Sequence, residues 1–247
     1  MKKLHVFIWS LSLSIVLCSS NPDAGKSPTE KKASFEIEKK ACCMKMNNTD
    51  LITFKNEDFY DKNGVFIVEK AKEAILSLAE YHGYPIFPGF KEKLWVSDYG
   101  TGQFTKLGLA AYMFVNNEKD RYMLMDLFLL PGQMLPEHWH LDGGPNPAKL
   151  EGWVIRSGES YIVGEGVDNL NEYPEIVVPS CHMDGKVTTK HVIKASIGSF
   201  TPQSIVYSRH WQFGGPKGAI ITEVANVHTD KAVRHSDKAI NDNFLGI

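Results

Sequence analysis

The stretch GQMLPEHWHLDGGPNPAKLEGWVIRSG, residues 132–158, decides the fold. It holds two histidines one residue apart, His138 and His140, and a later carboxylate, Glu151. In an extended strand successive side chains alternate between faces, so both imidazoles leave one face and Trp139 leaves the other. Two imidazoles joined by a carboxylate form part of a site for a divalent metal. The alternative for any single buried histidine is a core residue whose ring is hydrogen-bonded.

The segments around this stretch predict a mainly β protein. They are short, rich in Val, Ile, Phe and Tyr, and separated by Gly, Pro, Asn or Asp, which is typical of an antiparallel barrel or sandwich. The predicted strands are Gln103–Asn116, Arg121–Leu130, Trp153–Gly164, Glu175–Pro179, Lys190–Ala195, Ser204–Phe213 and Ala219–Val227. The polar tail, Asp230–Ile247, is expected to wrap the outside of the barrel.

The N-terminal residues predict export. Residues 1–17 resemble a bacterial signal peptide, with a positively charged start and an apolar core. Cys18 follows where lipoproteins carry their lipid, although Leu17 departs from the small residue usual at that position, and plain secretion is the alternative. Residues 18–50 contain few large apolar side chains and predict a partly disordered tether. The expected location is the cell envelope, either lipid-anchored or periplasmic.

Residues 51–247 are predicted to form one domain, with a helical extension over about 56–93 and a barrel over about 94–230. Within Asn56–His82, apolar residues recur three and four apart, which indicates a helix with one buried face. The six predicted buried residues are Val68, Ala71, Ala74, Ile75, Leu78 and Ala79. The net charge of −2 and the absence of a long basic run argue against nucleic acid as a partner.

Two groups of residues match the sequence motifs of the cupin barrels. The first motif is matched by Gly132, His138, His140, Glu151 and Gly158, with a long loop before the glutamate. The second has its glycine, proline and histidine roughly where this chain has Gly198, Pro202 and His210. This resemblance implies a cupin-type double-stranded β-helix, or jelly-roll, barrel. The predicted metal ligands are His138, His140, Glu151 and His210, a set that leaves about two positions open on an octahedral Mn²⁺ or Fe²⁺.

Longer blocks narrow the resemblance to one family. The blocks are Leu94–Gly100, Leu107–Leu109, Tyr122–Gln133, Pro136–His140, Lys149–Glu151, Tyr161–Gly166, His210–Gly214 and Gly218–Val224. They follow the order and spacing of the D-lyxose isomerases, which are cupin-type sugar isomerases, and the likeness covers about residues 55–245. The chain departs from the family in the loop at residues 141–148, and at residues 225–229, where the family is rich in serine.

The resemblance implies a metal-dependent aldose–ketose isomerase acting on free sugars such as D-lyxose, D-xylulose, D-mannose or D-fructose. Mn²⁺ is the expected metal, with Fe²⁺, Co²⁺ and Zn²⁺ as alternatives. Isomerisation moves a proton between C1 and C2, which a nearby carboxylate can carry. Glu151 and Glu223 are both candidates, and Lys149 is expected either to neutralise developing negative charge or to be a solvated loop residue. A homodimer is the expected assembly, and Cys18 the only membrane attachment.

The remaining polar and aromatic residues have plainer interpretations. Gln133 and Glu137 are predicted either to touch sugar hydroxyls or to be solvated. Trp139 and Trp211 are predicted to pack in the core, with an aromatic wall for the sugar as the alternative. Five histidines are expected to be structural or exposed: His82, His182, His191, His228 and His235. Two other functions stay open, an Fe(II) dioxygenase on the same barrel and a non-catalytic sugar-binding lipoprotein.

Overall fold

Residues 51–247 of the protein are described by a computed structural model. The predicted signal peptide (1–17), the tether (18–50) and Cys18 lie outside the described residues, so these assignments and the domain boundaries stay predictions. Among the described residues, no helix is both long enough and apolar enough to cross a membrane.

An antiparallel sheet forms the body of the described region. Its strands are β1 Trp95–Ser97, β2 Leu109–Asn117, β3 Tyr122–Leu129, β4 Met134–His140, β5 Glu151–Gly164, β6 His191–Ser196, β7 Phe200–Pro202, β8 His210–Ala225 and β9 Val233–His235. The strand order is β1-β2-β3-β8-β4-β9, and β5 pairs with β6, β7 and β8. The two longest strands, β5 and β8, pair along most of their length and carry the curled sheet from one layer to the other.

Close packing of two glycines bends these long strands. Gly158 and Gly218 both have positive φ, +70° in each case. A Cβ added to Gly158 would lie 2.0 Å from the Gly218 carbonyl oxygen, so no other residue fits there. Interruptions in the β5–β8 register fall beside this point, between Ile155 and Ser157 and between Gly158 and Ser160.

The N-terminal helices cover the outer face of the sheet. They are a 3₁₀ turn at Asn56–Phe59, α1 Val68–Tyr81 and α2 Phe90–Lys93. The predicted helix is confirmed only over α1. Before it, the Asp61 carboxylate accepts two backbone hydrogen bonds in a turn that contains Gly64 (φ +77°), so the helix begins later than predicted. Five of the six predicted buried residues are buried, while Val68 at the first turn is exposed. Gly83 ends the helix as predicted, with φ +66°.

One predicted strand is wrong, and another is correct only in its last four residues. Glu175–Pro179 is a loop in which Ile176 is the buried residue, since the prolines at both ends leave no room for a ladder. In Ser204–Phe213, pairing begins only at His210. The preceding residues form a turn in which Tyr207 has φ +66° and half-exposed apolar side chains cross the surface.

The C-terminal tail does not simply wrap the outside. It contributes β9, which pairs with β4 so that His235 lies opposite His138 and Val233 opposite His140. It continues through a 3₁₀ turn before β9 and two helical turns after it, at Asp230–Ala232, Lys238–Ile240 and Asn241–Leu245. A three-residue strand is too short to leave a periodic signal in the sequence.

Glu137 and Gln133 are structural, so neither predicted role is correct. Gln133 is fully buried and closes the turn before β4, accepting from the Leu130 backbone and donating to the Phe104 carbonyl. Glu137 is also fully buried, and it accepts hydrogen bonds from the backbone and hydroxyl groups of Thr188 and Thr189 and from the Ser236 hydroxyl. This carboxylate therefore joins β4 to a surface loop and to the tail.

Glu137→Gln should destabilise the protein in a pH-dependent way. Burial alone would raise the pKa of Glu137, but the hydrogen bonds from Ser236 and Thr188 outweigh it and lower the pKa. The stabilisation is therefore present above the ordinary glutamate pKa of about 4.3 and is lost as the pH falls through the lower, folded-state pKa. At pH 7 the variant should lose roughly 3 kcal/mol of unfolding free energy in urea, and this deficit should shrink in acid. Exposed Glu118→Gln is the control, and a deficit at pH 7 no larger than that of the control contradicts the account.

Candidate metal centre

Four buried side chains from three strands converge inside the barrel. His138 and His140 leave the same face of β4, Glu151 is the first residue of β5, and His210 is the first residue of β8. One potential ligand atom from each lies within 4.8 Å of all the others. The Nε2 atoms of His138 and His210 are 3.1 Å apart, and Glu151 Oε1 lies 3.0 Å from the Nε2 atoms of His140 and His210. The structure thus brings together all four predicted ligands.

Hydrogen bonding shows that this set fits a divalent cation. His138 Nδ1 lies 2.8 Å from the Pro136 carbonyl oxygen, and His210 Nδ1 lies 3.2 Å from that of Ser208. A carbonyl only accepts, so each Nδ1 carries the proton and each Nε2 presents a lone pair to the cluster. Within the described region, His140 Nε2 and Glu151 Oε1 face each other and the other ligand atoms of the cluster, and no group outside the cluster satisfies them. Buried polar atoms left in this state are costly unless a ligand satisfies them, and lone pairs that face one another suit a metal ion.

The charge states of the histidines and of Glu151 also favour a divalent cation at this site. Burial lowers the pKa of His140 to about 3, helped by the charge of Lys149, and lowers that of His138 far below its usual range. Both imidazoles are therefore neutral. Burial would raise the pKa of Glu151, but Lys149 and the neighbouring histidines outweigh it and hold the carboxylate ionised. Neutral imidazole and ionised carboxylate are the forms that bind metals.

Lys149 links this centre to a second carboxyl group. Its Nζ lies 2.7 Å from Glu151 Oε2 and 2.7 Å from Glu223 Oε1. The other oxygen of Glu223 accepts from Trp153 Nε1 at 3.2 Å. Lys149 is 4% exposed and Glu223 3% exposed, so Lys149 is not a solvated loop residue and Glu223 points inward.

The surroundings lower the pKa of Glu151 and raise the pKa of Glu223. Burial, and next the charge of Glu151, raise the pKa of Glu223. Burial would lower the pKa of Lys149, but the two carboxylates outweigh it and keep the ammonium charged. Glu223 is therefore the group of the cluster that can gain and lose a proton near neutral pH.

A cavity of about 500 Å³ opens beside this cluster. Its floor includes His138, His140, Lys149 and Glu223, and further residues come from β1 to β4 and from the tail. Sequence reasoning missed the contributions of His228 and His235, which line the cavity although they were expected to be structural or exposed. Each is followed two residues later by an aspartate, Asp230 or Asp237, but neither belongs to the two cupin motifs. The pairing of β9 with β4 brings this segment to the site.

Trp139 and Trp211, which were predicted to pack in the core, are not part of the cavity lining. Trp211 is fully buried, as predicted, and its Nε1 donates to the Thr189 carbonyl oxygen at 3.0 Å. Trp139 is only partly buried, because it faces away from the ligands, and the Arg209 guanidinium lies 4.3 Å from the centre of its ring.

Relatives of known activity define the family. No protein-family model matches the chain. The D-lyxose ketol-isomerase of Thermofilum sp. (strain ex4484_79) is 30% identical over 168 residues, which cover 67% of this chain and 88% of that protein. The chain belongs to the D-lyxose isomerase family. The D-lyxose/D-mannose isomerase of Thermosediminibacter oceani is 29% identical over 176 residues, or 70% of this chain and 92% of that protein. The predicted class, a sugar isomerase, is confirmed.

Solved structures support the fold. The L-ribose isomerase of Acinetobacter sp. DL28, in complex with L-ribose, superposes with a TM-score of 0.54 at 14% identity, covering 75% of this chain and 96% of that one. The L-ribose isomerase of Cellulomonas parahominis gives 0.52 at 11% identity, covering 76% and 97%. With the curled antiparallel sheet, these matches confirm the predicted cupin-type barrel.

His138→Ala should abolish metal binding. Removing one of four ligands, and exposing the cluster to water, should reduce bound metal from about one equivalent to a small fraction after dialysis against Mn²⁺. Elemental analysis measures the stoichiometry, and thermal unfolding with and without a chelator measures the stabilisation that the metal gives. His191→Ala, at the first residue of β6 and outside the cluster, is the matched control. Equal metal content in both variants would show that the four residues are not the site.

Proposed function

We propose that the protein is a divalent-metal-dependent isomerase that interconverts free aldoses and ketoses such as D-lyxose and D-xylulose or D-mannose and D-fructose. The observation that carries the proposal is Glu223, a buried carboxyl group with a raised pKa that sits in the cavity beside a three-histidine, one-glutamate cluster. The family relationship supports the reaction class, and the activities for which the relatives are named support the choice of sugars.

Glu223 is the proposed proton carrier between C1 and C2. Of the two candidates, Glu151 has one oxygen 3.0 Å from two of the candidate ligand nitrogens, so a bound metal would occupy it. Glu223 is outside the ligand set and is oriented by Lys149 on one oxygen and Trp153 on the other. A positioned carboxyl whose pKa lies nearer neutrality is suited to take a proton from one carbon and return it to the next.

Lys149 supplies a fixed positive charge next to the reacting carbons. Its ammonium is held by two carboxylates and is out of contact with bulk water, so its charge is weakly screened. It favours negative charge that develops on the substrate oxygens. A divalent ion held by His138, His140, Glu151 and His210 would add Lewis-acid stabilisation of the same charge. Mn²⁺ is the proposed ion, since mixed nitrogen and oxygen ligands with open positions suit it, and Fe²⁺, Co²⁺ and Zn²⁺ are to be compared.

Glu223→Gln should separate chemistry from metal binding. The substitution keeps the shape of the side chain but cannot carry the proton, so kcat for D-lyxose should fall by about 10²–10⁴-fold while bound metal is unchanged. The assay follows ketose formation from D-lyxose and D-mannose by protein loaded with each of the four metals. Glu118→Gln, at an exposed turn, is the control. Full activity of chelator-stripped protein, or an active Glu223→Gln variant, would contradict the mechanism.

The N-terminal sequence supports a proposal about location, and the assembly is proposed beside it for the same experiment. We propose that the enzyme is exported, carries lipid on Cys18 and forms a homodimer.

Cys18→Ser should move the protein from the membrane fraction to the soluble envelope fraction, because the lipid would be its only anchor. Fractionation of cells expressing each form measures this, and light scattering of the released protein gives its mass. Recovery of both forms from the cytosol would contradict export.

A further inference from the structure

The cavity beside the metal centre has two unlike walls. One wall, from β2, β3 and β4, is apolar and consists of Leu109, Ala111, Met113, Met125, Leu127 and Leu135. Another comes from the chain that follows β8 and carries His228, Asp230 and His235. A sugar hydroxyl turned toward the apolar wall loses water without gaining a partner, whereas one turned toward the polar wall can be recognised. Lys93 and Tyr99 also bring polar groups to the cavity, so the segment around His228 is one of the places where the sugar can be recognised beyond its carbonyl end.

The backbone at His228 is held firmly in place. Asn116 on β2 donates to the His228 carbonyl oxygen at 2.8 Å and accepts from the His228 N–H at 3.0 Å. The next residue, Thr229, packs so closely on Gly143 that a Cβ added there would lie 2.5 Å away. Further on, the Ala232 carbonyl oxygen accepts from the Leu141 N–H at 2.8 Å. A side chain on such a segment is positioned before the ligand arrives, which favours selective binding.

The ring of His228 presents one unused acceptor. Its Nε2 lies 2.9 Å from Asp230 Oδ1, and this hydrogen bond lowers the pKa of Asp230. An ionised carboxylate only accepts, so Nε2 carries the proton and Nδ1 keeps its lone pair. Nδ1 has no hydrogen-bond partner in the region that the structure describes. The ring centre lies 6.2 Å from that of the ligand His140, a separation that a pentose can span.

We propose that His228 Nδ1 accepts a hydrogen bond from a sugar hydroxyl on C3 or C4, and that His228 is a specificity-determining residue. The inference rests on the proposed isomerase function. A single fixed acceptor matches a hydroxyl in one configuration, and inversion of that carbon turns the hydroxyl away. D-Lyxose, its C3 epimer D-arabinose and its C4 epimer L-ribose differ in these hydroxyls alone, so they are suitable probes. Asp230 acts as a positioning residue through the ring.

The test compares these three sugars on the Mn²⁺-loaded full chain. In wild type, D-lyxose should have the highest kcat/KM, and His228→Leu should reduce its advantage over one epimer by about tenfold or more. The reduction should come from a higher KM for D-lyxose with kcat nearly unchanged, because the bond is made in the ground state and the transition state alike. His228→Asn keeps an acceptor near the Nδ1 position and should retain most of the preference. Asp230→Ala leaves the imidazole unoriented and should fall between the two, and His191→Leu should match wild type.

Two results would overturn the proposal. One is an equal loss of kcat/KM by His228→Leu for all three sugars, and the other is an unchanged preference in both His228→Leu and Asp230→Ala. Either leaves the isomerase function intact. If wild type isomerises none of the three sugars, the proposed function fails, and calorimetric Kd values for the same sugars then decide the role of His228. If His228→Leu leaves the ratio of Kd values between the epimers unchanged, the proposed role of His228 in sugar recognition is refuted in binding as well.

Discussion

One ammonium group between two buried carboxylates organises the centre of this protein. Lys149 Nζ lies 2.7 Å from an oxygen of Glu151 and 2.7 Å from an oxygen of Glu223. Without it, two negative charges would face each other in an interior that screens them poorly, and both could not stay ionised. With it, Glu151 stays ionised, as a candidate metal ligand must be, while burial and the charge of Glu151 raise the pKa of Glu223. The different roles proposed for the two carboxyl groups thus depend on the same cation.

The pairing of β5 with β8 places these groups. Lys149, Glu151 and Trp153 are two residues apart, so their side chains point to one face, and Trp153 lies directly opposite Glu223. A slip of one residue would turn all of them outward, which would expose the ligand and bury its neighbours. The tight contact between Gly158 and Gly218 opposes such a slip. After a slip, a residue with a side chain would take the place of Gly158 and would clash with the Gly218 backbone. Gly158, the second glycine of the first cupin motif, therefore helps to fix the strand register that positions the candidate ligands, although it lies far along β5 from Glu151.

The sequence allowed the barrel and the ligand set to be predicted, since both depend on local patterns. The alternation at His138 and His140 predicts a shared face whatever the rest of the chain does. Glu223 was harder to assign, because Ile220, Ile221 and Ala219 around it are all fully buried and alternation cannot show which face is the inner one. The strand predicted at Glu175–Pro179 failed for a related reason: apolar composition alone does not distinguish a strand from a loop that buries one side chain.

The C-terminal tail shows a more general limit. Its polar composition predicts an exposed segment, yet a wall that recognises hydroxyl groups must also be polar, so the two have the same sequence signature. What separates them is the hydrogen bonding of the backbone: here the tail is bound by Asn116 in β2 and by Leu141, the residue after β4. The ligands, in contrast, all sit on long strands whose register is set by the core. The proposed metal site and the proposed sugar contact at His228 therefore lie in separate segments of the chain. The segment around His228 supplies none of the four candidate ligands, although β9, farther along the tail, pairs with the strand that carries His138 and His140. This is the physical reason to look for substrate preference at His228 rather than among the candidate ligands.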